Sequence, residues 1–137
     1  MASRSKSDLN EILADAYDKA CAEYLQLYPS LPQPFLTCTY RSNDEQEATY
    51  AQGRTTKGPI ITKARASESP HNYNPAAAFD IAFISLNKKL DWSSIQFKNF
   101  AAIITRIQPL IEWGGSWSKG FVDMPHYQLK QWRKYVK

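Results

Sequence analysis

The sequence predicts an α+β fold, with about three helices packed on a small, mostly antiparallel sheet. Three observations carry this. Apolar residues recur at three- and four-residue spacing in segments 8–28 and 94–108, which is the helical period. They alternate along 77–84, which is the strand period. Between these segments, Pro, Gly, Asn and Ser gather in stretches suited to turns and loops.

The first helix is predicted over 8–28, with Leu9, Ile12, Leu13, Ala16, Ala20, Tyr24 and Leu27 on one face and Asp8 with Glu11 as a capping pair. Pro29, Pro32 and Pro34 end it and lead into an extended run, Phe35 to Tyr40. Ser42 and Glu45 form a capping box for a second helix at 43–52, and Gly53 stands at its C-terminal cap. Lys57, Gly58 and Pro59 make a turn before a short predicted strand, Ile60 to Lys63. Residues 64–76 read as a long polar loop feeding the strand Ala77 to Ile84. There Phe79, Ile81 and Phe83 share one face while Ala78, Asp80 and Ala82 share the other. An acid in the middle of an apolar strand needs a partner, because a buried, unpaired carboxylate is costly. The third helix, Ser94 to Gln108, carries the stripe Phe100, Ile103, Ile104 and Ile107 and is limited by Pro109. A loop around Trp113, Gly114 and Gly115 follows, then an extended stretch from Phe121 to Leu129. The basic tail, 130–137, reads as a last strand or helix with a solvated face; its alternative is an anionic-surface contact through Lys130, Arg133, Lys134 and Lys137 with Trp132 as anchor.

A length of 137 residues with no visible linker or repeat predicts one domain, 1–137. Hydrophobic residues at 43% and charged residues at 22% are globular proportions. The aromatic share of 13% suggests a dense core and some rings beside a ligand cleft. A net charge of +4 draws a protein to polyanions such as nucleic acid, anionic lipid or cell-wall polymer. No Lys/Arg-rich helix or aromatic platform motif points to nucleic acid. Cys21 and Cys38 read as buried thiols and not as a disulfide. The opening MASRSKSDLNEILADAY lacks the apolar stretch of a secretory leader, so synthesis in a cytoplasm is expected. No apolar run is long enough to insert in a membrane.

The chain has two histidines. His71 follows Ser69 and Pro70 in the long loop, and Asp80 comes nine positions later. His126 lies three positions after Asp123. Catalytic zinc typically takes three nitrogen or oxygen ligands from the protein and leaves one position to solvent. His71, Asp80 and His126 fit that count, and Asp123 fits a carboxylate that accepts a proton from water. The alternative is ordinary: a histidine with a nearby acid is usually a structural hydrogen-bond pair.

Four segments, in order, resemble a known family. SPHNYNPAAAFDIAF (69–83) and FVDMPHYQL (121–129) resemble the two metal motifs of the LAS-type peptidoglycan peptidases. That group includes D-Ala-D-Ala carboxypeptidases and L-alanyl-D-glutamate endopeptidases. TYRSNDEQEATYAQGRT (39–55) resembles the family's Y-R-S-x-x-x-Q opening, and EWGGSW (112–117) its E-W-G-G stretch. The resemblance implies a hedgehog/D-Ala-D-Ala-peptidase-like fold and Zn2+ as cofactor. It implies His71, Asp80 and His126 as metal ligands and Asp123 as catalytic acid/base. It also implies Arg41 as oxyanion stabiliser and substrate contact, and Gln46 and Ser69 as substrate contacts. Arg41 closing a salt bridge, or Ser69 capping its loop, remain the plainer alternatives.

The sequence departs from the family pattern in three places. The first motif usually has a shorter gap and a glycine; here the gap is nine, read as a two-residue loop insertion containing Asn74-Pro75. Asp123 stands where many members have Glu, and Ser116 where relatives often have an acid. The expectation is a monomeric zinc metallopeptidase of the peptidoglycan stem peptide, most like a small phage endolysin that waits in the host cytoplasm and acts on the wall after release. L-alanyl-D-glutamate endopeptidase activity comes first. The alternatives are D,D-carboxypeptidase activity on the same site and a non-catalytic cell-wall-binding protein on the same fold.

Overall fold

A computed structural model describes residues 2–117 and 122–136. Three helices and one five-stranded sheet make up its main architecture. The helices are α1 (Glu11–Leu27), α2 (Asn43–Ala51) and α3 (Ser94–Ile107). The strands are β1 (Gln33–Cys38), β2 (Ala78–Ile84), β3 (Leu90–Asp91), β4 (Ile111–Trp113) and β5 (His126–Leu129). The sheet runs β1-β2-β5-β4, with β3 pairing β2, and every pairing is antiparallel. No helix among the described residues is long and apolar enough to cross a membrane.

The alternation in β2 divides the molecule. Phe79, Ile81 and Phe83 are fully buried beneath α1 and α3. There Tyr17 meets Phe79 at 5.4 Å, Phe79 stacks on Tyr127 at 5.2 Å, Phe100 meets Tyr127 at 5.5 Å, and Phe83 meets Phe97 edge-on at 4.9 Å. Such ring pairs add to the stabilisation that area burial gives. Asp80 points to the opposite face, away from this aromatic core, and finds its partners there.

Several predicted boundaries move. The first helix begins at Glu11, capped by the Asn10 side chain, which accepts from the Ile12 N–H at 2.9 Å. Asp8 does not start it, because Asp8 ends a separate 3-10 turn, Lys6–Asp8, and residues 9–10 run extended beside Ala76: Ala76 N–H donates to the Asp8 carbonyl at 2.7 Å and Asn10 N–H to the Ala76 carbonyl at 3.0 Å. The capping box of α2 is present as read, with Ser42 and Glu45 each accepting from the other's backbone N–H. Gly53 follows α2 with φ +82°, a conformation that favours glycine.

The extended run expected at Phe35 begins earlier, at Gln33, and Pro34 is accommodated because β1 is an edge strand. The short strand expected at Ile60 to Lys63 does not form. Ile60 and Ile61 stay largely exposed, with no ladder partner among the described residues. The last extended stretch becomes β5 at His126; Phe121, expected to begin it, lies outside the described residues. Residues 132–135 of the basic tail form a 3-10 turn, and Lys137 lies outside the described residues.

Candidate active site

Strand register assembles the site. Asp80 in β2 pairs with Cys38 of β1 on one side and with His126 of β5 on the other. Directly opposed residues on one face of a sheet place their side chains in contact. A row of three neighbouring side chains thus crosses the sheet, built from residues far apart in sequence. His71 joins it from a 3-10 turn, Pro70–Asn72, with its N–H donated to the Ser69 hydroxyl at 3.2 Å.

The two imidazoles lie 5.1 Å apart between ring centres, and both are buried. Asp80 stands between them: its Oδ1 is 3.3 Å from His71 Nε2 and 3.0 Å from His126 Nδ1. The outer nitrogen of each ring is also engaged. His71 Nδ1 lies 2.8 Å from the Thr39 carbonyl, and His126 Nε2 lies 2.7 Å from Gln128 Oε1. Oxygens of both kinds only accept, so those nitrogens carry the hydrogens. In the neutral rings the bare nitrogens, His71 Nε2 and His126 Nδ1, then face the same carboxylate. His71 Nε2 is buried and makes no hydrogen bond despite its approach to Asp80. A buried nitrogen without a hydrogen-bond partner, beside a carboxylate and a second imidazole, fits a divalent metal that accepts nitrogen and oxygen donors.

The sequence marks Cys38 as a buried thiol and nothing more. It is buried, and with His71 and Asp80 it forms a group whose candidate ligand atoms all lie within 4.8 Å of one another. Its sulfur lies 3.6 Å from His71 Nδ1, the nitrogen given to Thr39, and 3.6 Å from Arg41 Nη2. No spacing rule marks it; only the β1–β2 register does.

The charges are strongly coupled. Burial opposes the imidazolium of His71, but the Asp80 carboxylate outweighs it and raises the His71 pKa to about 10. Burial likewise opposes ionisation of Asp80, and the two imidazoles override it, holding its carboxyl well below the usual range. Asp123 goes the other way: burial and then repulsion from Asp80 raise its pKa to about 6, against the pull of His126, His71 and Arg41.

Asp123 is held from behind by the EWGGSW segment. Its N–H donates to the Gly114 carbonyl at 3.0 Å, and Trp113 Nε1 donates to the Met124 carbonyl at 2.7 Å. Arg41 enters from the end of β1: Nη1 donates to Gln46 Oε1 at 3.0 Å, and Nη2 lies 3.9 Å from Asp80 Oδ2. Gln46 is fully buried and supports Arg41, while also donating to the Ala64 carbonyl at 2.7 Å and accepting from Asn72 at 3.2 Å. Ser69 caps the turn that carries His71.

Arg41, Ser69, His71, Asp80, Asp123 and His126 all line one cleft of about 590 Å³, with Lys63, Trp92 and Trp117 also on its wall. Gln46 is not among its lining residues. The structure therefore brings together six of the seven residues singled out from the sequence at the cleft wall, with Gln46 directly behind one of them.

Comparison with known proteins bears on the family and the fold. No family model matches the chain. Over 99 residues the chain is 36% identical to the peptidoglycan L-alanyl-D-glutamate endopeptidase CwlK of Bacillus subtilis (strain 168), covering 69% of this chain and 59% of that protein. The chain thus spans about three fifths of the length of this relative. The fold is similar to the crystal structure of the L-Ala D-Glu endopeptidase ChiX of Serratia marcescens, with a TM-score of 0.56 at 19% identity, over 98% of this chain and 93% of that one. The likeness in sequence supports the LAS-type peptidase family for this chain, and the likeness in structure supports the corresponding fold.

Proposed function

We propose that this protein is a zinc-dependent peptidoglycan hydrolase that cuts the L-alanyl–D-glutamate bond of the stem peptide. One observation carries the reading. Two buried imidazoles and a carboxylate converge at the wall of a cleft, next to a second carboxylate whose pKa is raised to about 6. His71, Asp80 and His126 would hold the metal through nitrogen and oxygen atoms already turned toward one another. When bound, zinc polarises a carbonyl oxygen and brings the pKa of a water molecule towards roughly 7.

The chain's own residues supply the rest. A carboxylate with a pKa of about 6 is ionised at neutral pH yet basic enough to take a proton, so Asp123 removes one from water and returns it to the departing amine. Arg41, fixed by Gln46, offers positive charge at the cleft wall to the oxyanion that develops as the carbonyl is attacked. Asp80 and the hydrogen bonds to Thr39 and Gln128 keep the imidazoles oriented. Trp92 and Trp117 give the cleft apolar walls against which a peptide backbone packs.

The names of the two similar proteins favour the endopeptidase bond over the D,D-carboxypeptidase alternative. The completeness of the site favours an enzyme over a non-catalytic wall-binding protein. The net charge of +4 suits an anionic wall polymer, and a phage endolysin released from a host cytoplasm to the wall is the role we assign on the family resemblance.

The test is digestion of purified murein with and without a chelator, followed by mass spectrometry of the released muropeptides. Zinc-restored release of fragments with a new D-glutamyl amino terminus supports the reading. Release of terminal D-alanine instead moves the activity to the carboxypeptidase class, and binding without release makes the protein a wall-binding module.

A further inference from the structure

His71 and His126 are oriented by different devices. His71 gives its Nδ1 hydrogen to a main-chain carbonyl, that of Thr39. His126 relies on side chains. Gln128, two positions along β5 and mostly buried, lies on the same face of the strand as His126. Its ladder partner in β4 is Glu112. Gln128 Nε2 is 2.7 Å from Glu112 Oε1, and Gln128 Oε1 is 2.7 Å from His126 Nε2. His126 Nδ1, at the far side of the ring, is 3.0 Å from Asp80 Oδ1.

We propose that Glu112 and Gln128 are positioning residues: together they fix the tautomer of His126 and so decide which of its nitrogens faces the metal. The chemistry of the donors runs in one direction. A carboxylate has no hydrogen to give, so Glu112 must face the amide nitrogen of Gln128. The amide oxygen is then turned to His126, and since it also only accepts, His126 Nε2 must carry the hydrogen. Nδ1 is left with its lone pair beside Asp80. An amide alone leaves its own orientation open, because its two ends are nearly the same shape. Glu112 removes that freedom. The proposal rests on the metal reading given above.

The probes are zinc alone, and 113Cd in place of zinc, added to the full chain with 15N-labelled histidine. Zinc affinity is measured by competition with a chelator, and the cadmium–nitrogen coupling identifies the bound atom. In the wild type, His126 Nδ1 is expected to couple to cadmium and Nε2 to carry hydrogen. Gln128→Leu and Glu112→Gln are each expected to weaken zinc roughly 10- to 100-fold, the range for residues that orient a metal-bound histidine. Glu112→Gln keeps the shape but can donate, so it frees the Gln128 amide to reverse. The double variant is expected to bind no more weakly than Gln128→Leu alone. If Gln128→Leu fails to fold, Glu112→Gln decides by itself. Wild-type zinc affinity in a folded Glu112→Gln protein, or coupling through His126 Nε2, overturns the relay and leaves the metal reading standing. A wild-type chain that takes up neither metal overturns both.

Discussion

Gly114 lies back to back with Asp123. The Asp123 N–H donates to the Gly114 carbonyl at 3.0 Å, and a Cβ placed on Gly114 would run into the Asp123 carbonyl oxygen. The obstacle is backbone, which cannot swing aside as a side-chain tip can. Gly114→Ala should therefore push the 123–125 segment outward and misplace the Asp123 carboxylate. The expected outcome is a loss of activity of about 100-fold, the scale of a misplacement of about 1 Å, with overpacking costing roughly 1–3 kcal/mol. Murein turnover and thermal unfolding of the variant check this; full activity would detach Gly114 from the placement of Asp123.

Asp123→Asn removes the proposed base while keeping the shape. Turnover should fall by about 10²–10⁴-fold, with zinc stoichiometry unchanged. The same variant has a stability signature in the metal-free protein. The folded pKa of Asp123 is raised from 3.8 to about 6, so the folded state holds a proton that the unfolded state releases over that interval. Wild-type stability relative to Asp123→Asn should thus fall as pH rises from about 4 to 6 and stay level above, by at most about 3 kcal/mol. Denaturant titrations at several pH values measure the difference, and a pH-independent gap would contradict the raised pKa.

His71 predicts proton release on metal binding. Its folded pKa is raised to about 10, so the metal-free ring is charged at neutral pH. The contribution of that charge to stability is complete below the unfolded value near 6.5 and is lost as pH rises through about 10. Zinc needs the neutral ring, so binding at pH 7.5 should expel a proton, and affinity should rise about tenfold per pH unit below 10. Calorimetry in buffers of different ionisation enthalpy counts the proton; a count of zero would show that the His71 ring is already neutral in the metal-free protein and would contradict the raised pKa.

Arg41 and Gln46 should act as a unit. Arg41→Ala is expected to lower kcat about 10²–10³-fold by removing positive charge from the cleft wall. Gln46→Leu, although Gln46 is fully buried behind that wall, should also lower kcat, because the guanidinium loses the acceptor that fixes it. A double-mutant cycle reports the coupling, and additive losses would separate the two residues.

The sequence alone determined the periodic parts and the chemical inventory. Long amphipathic segments such as α1 and α3 announce themselves, as does the capping box of Ser42 and Glu45, because their signals are local. Asp80 stood out as an acid in an apolar strand, and two histidines with an acid nearby are easily counted. The strands β3 and β4, two and three residues long, were invisible because alternation needs more positions to register. Ile60 to Lys63 looked like a strand because apolar content does not say whether a partner edge is available.

What the tertiary structure decided was which of those residues meet. Cross-strand register sets Cys38 and His126 on either side of Asp80, and places Glu112 opposite Gln128. Register depends on pairing between segments well separated in sequence, so no local pattern encodes it. The same holds for the raised pKa of Asp123 and the burial of Gln46: both arise from neighbours that only the folded chain supplies.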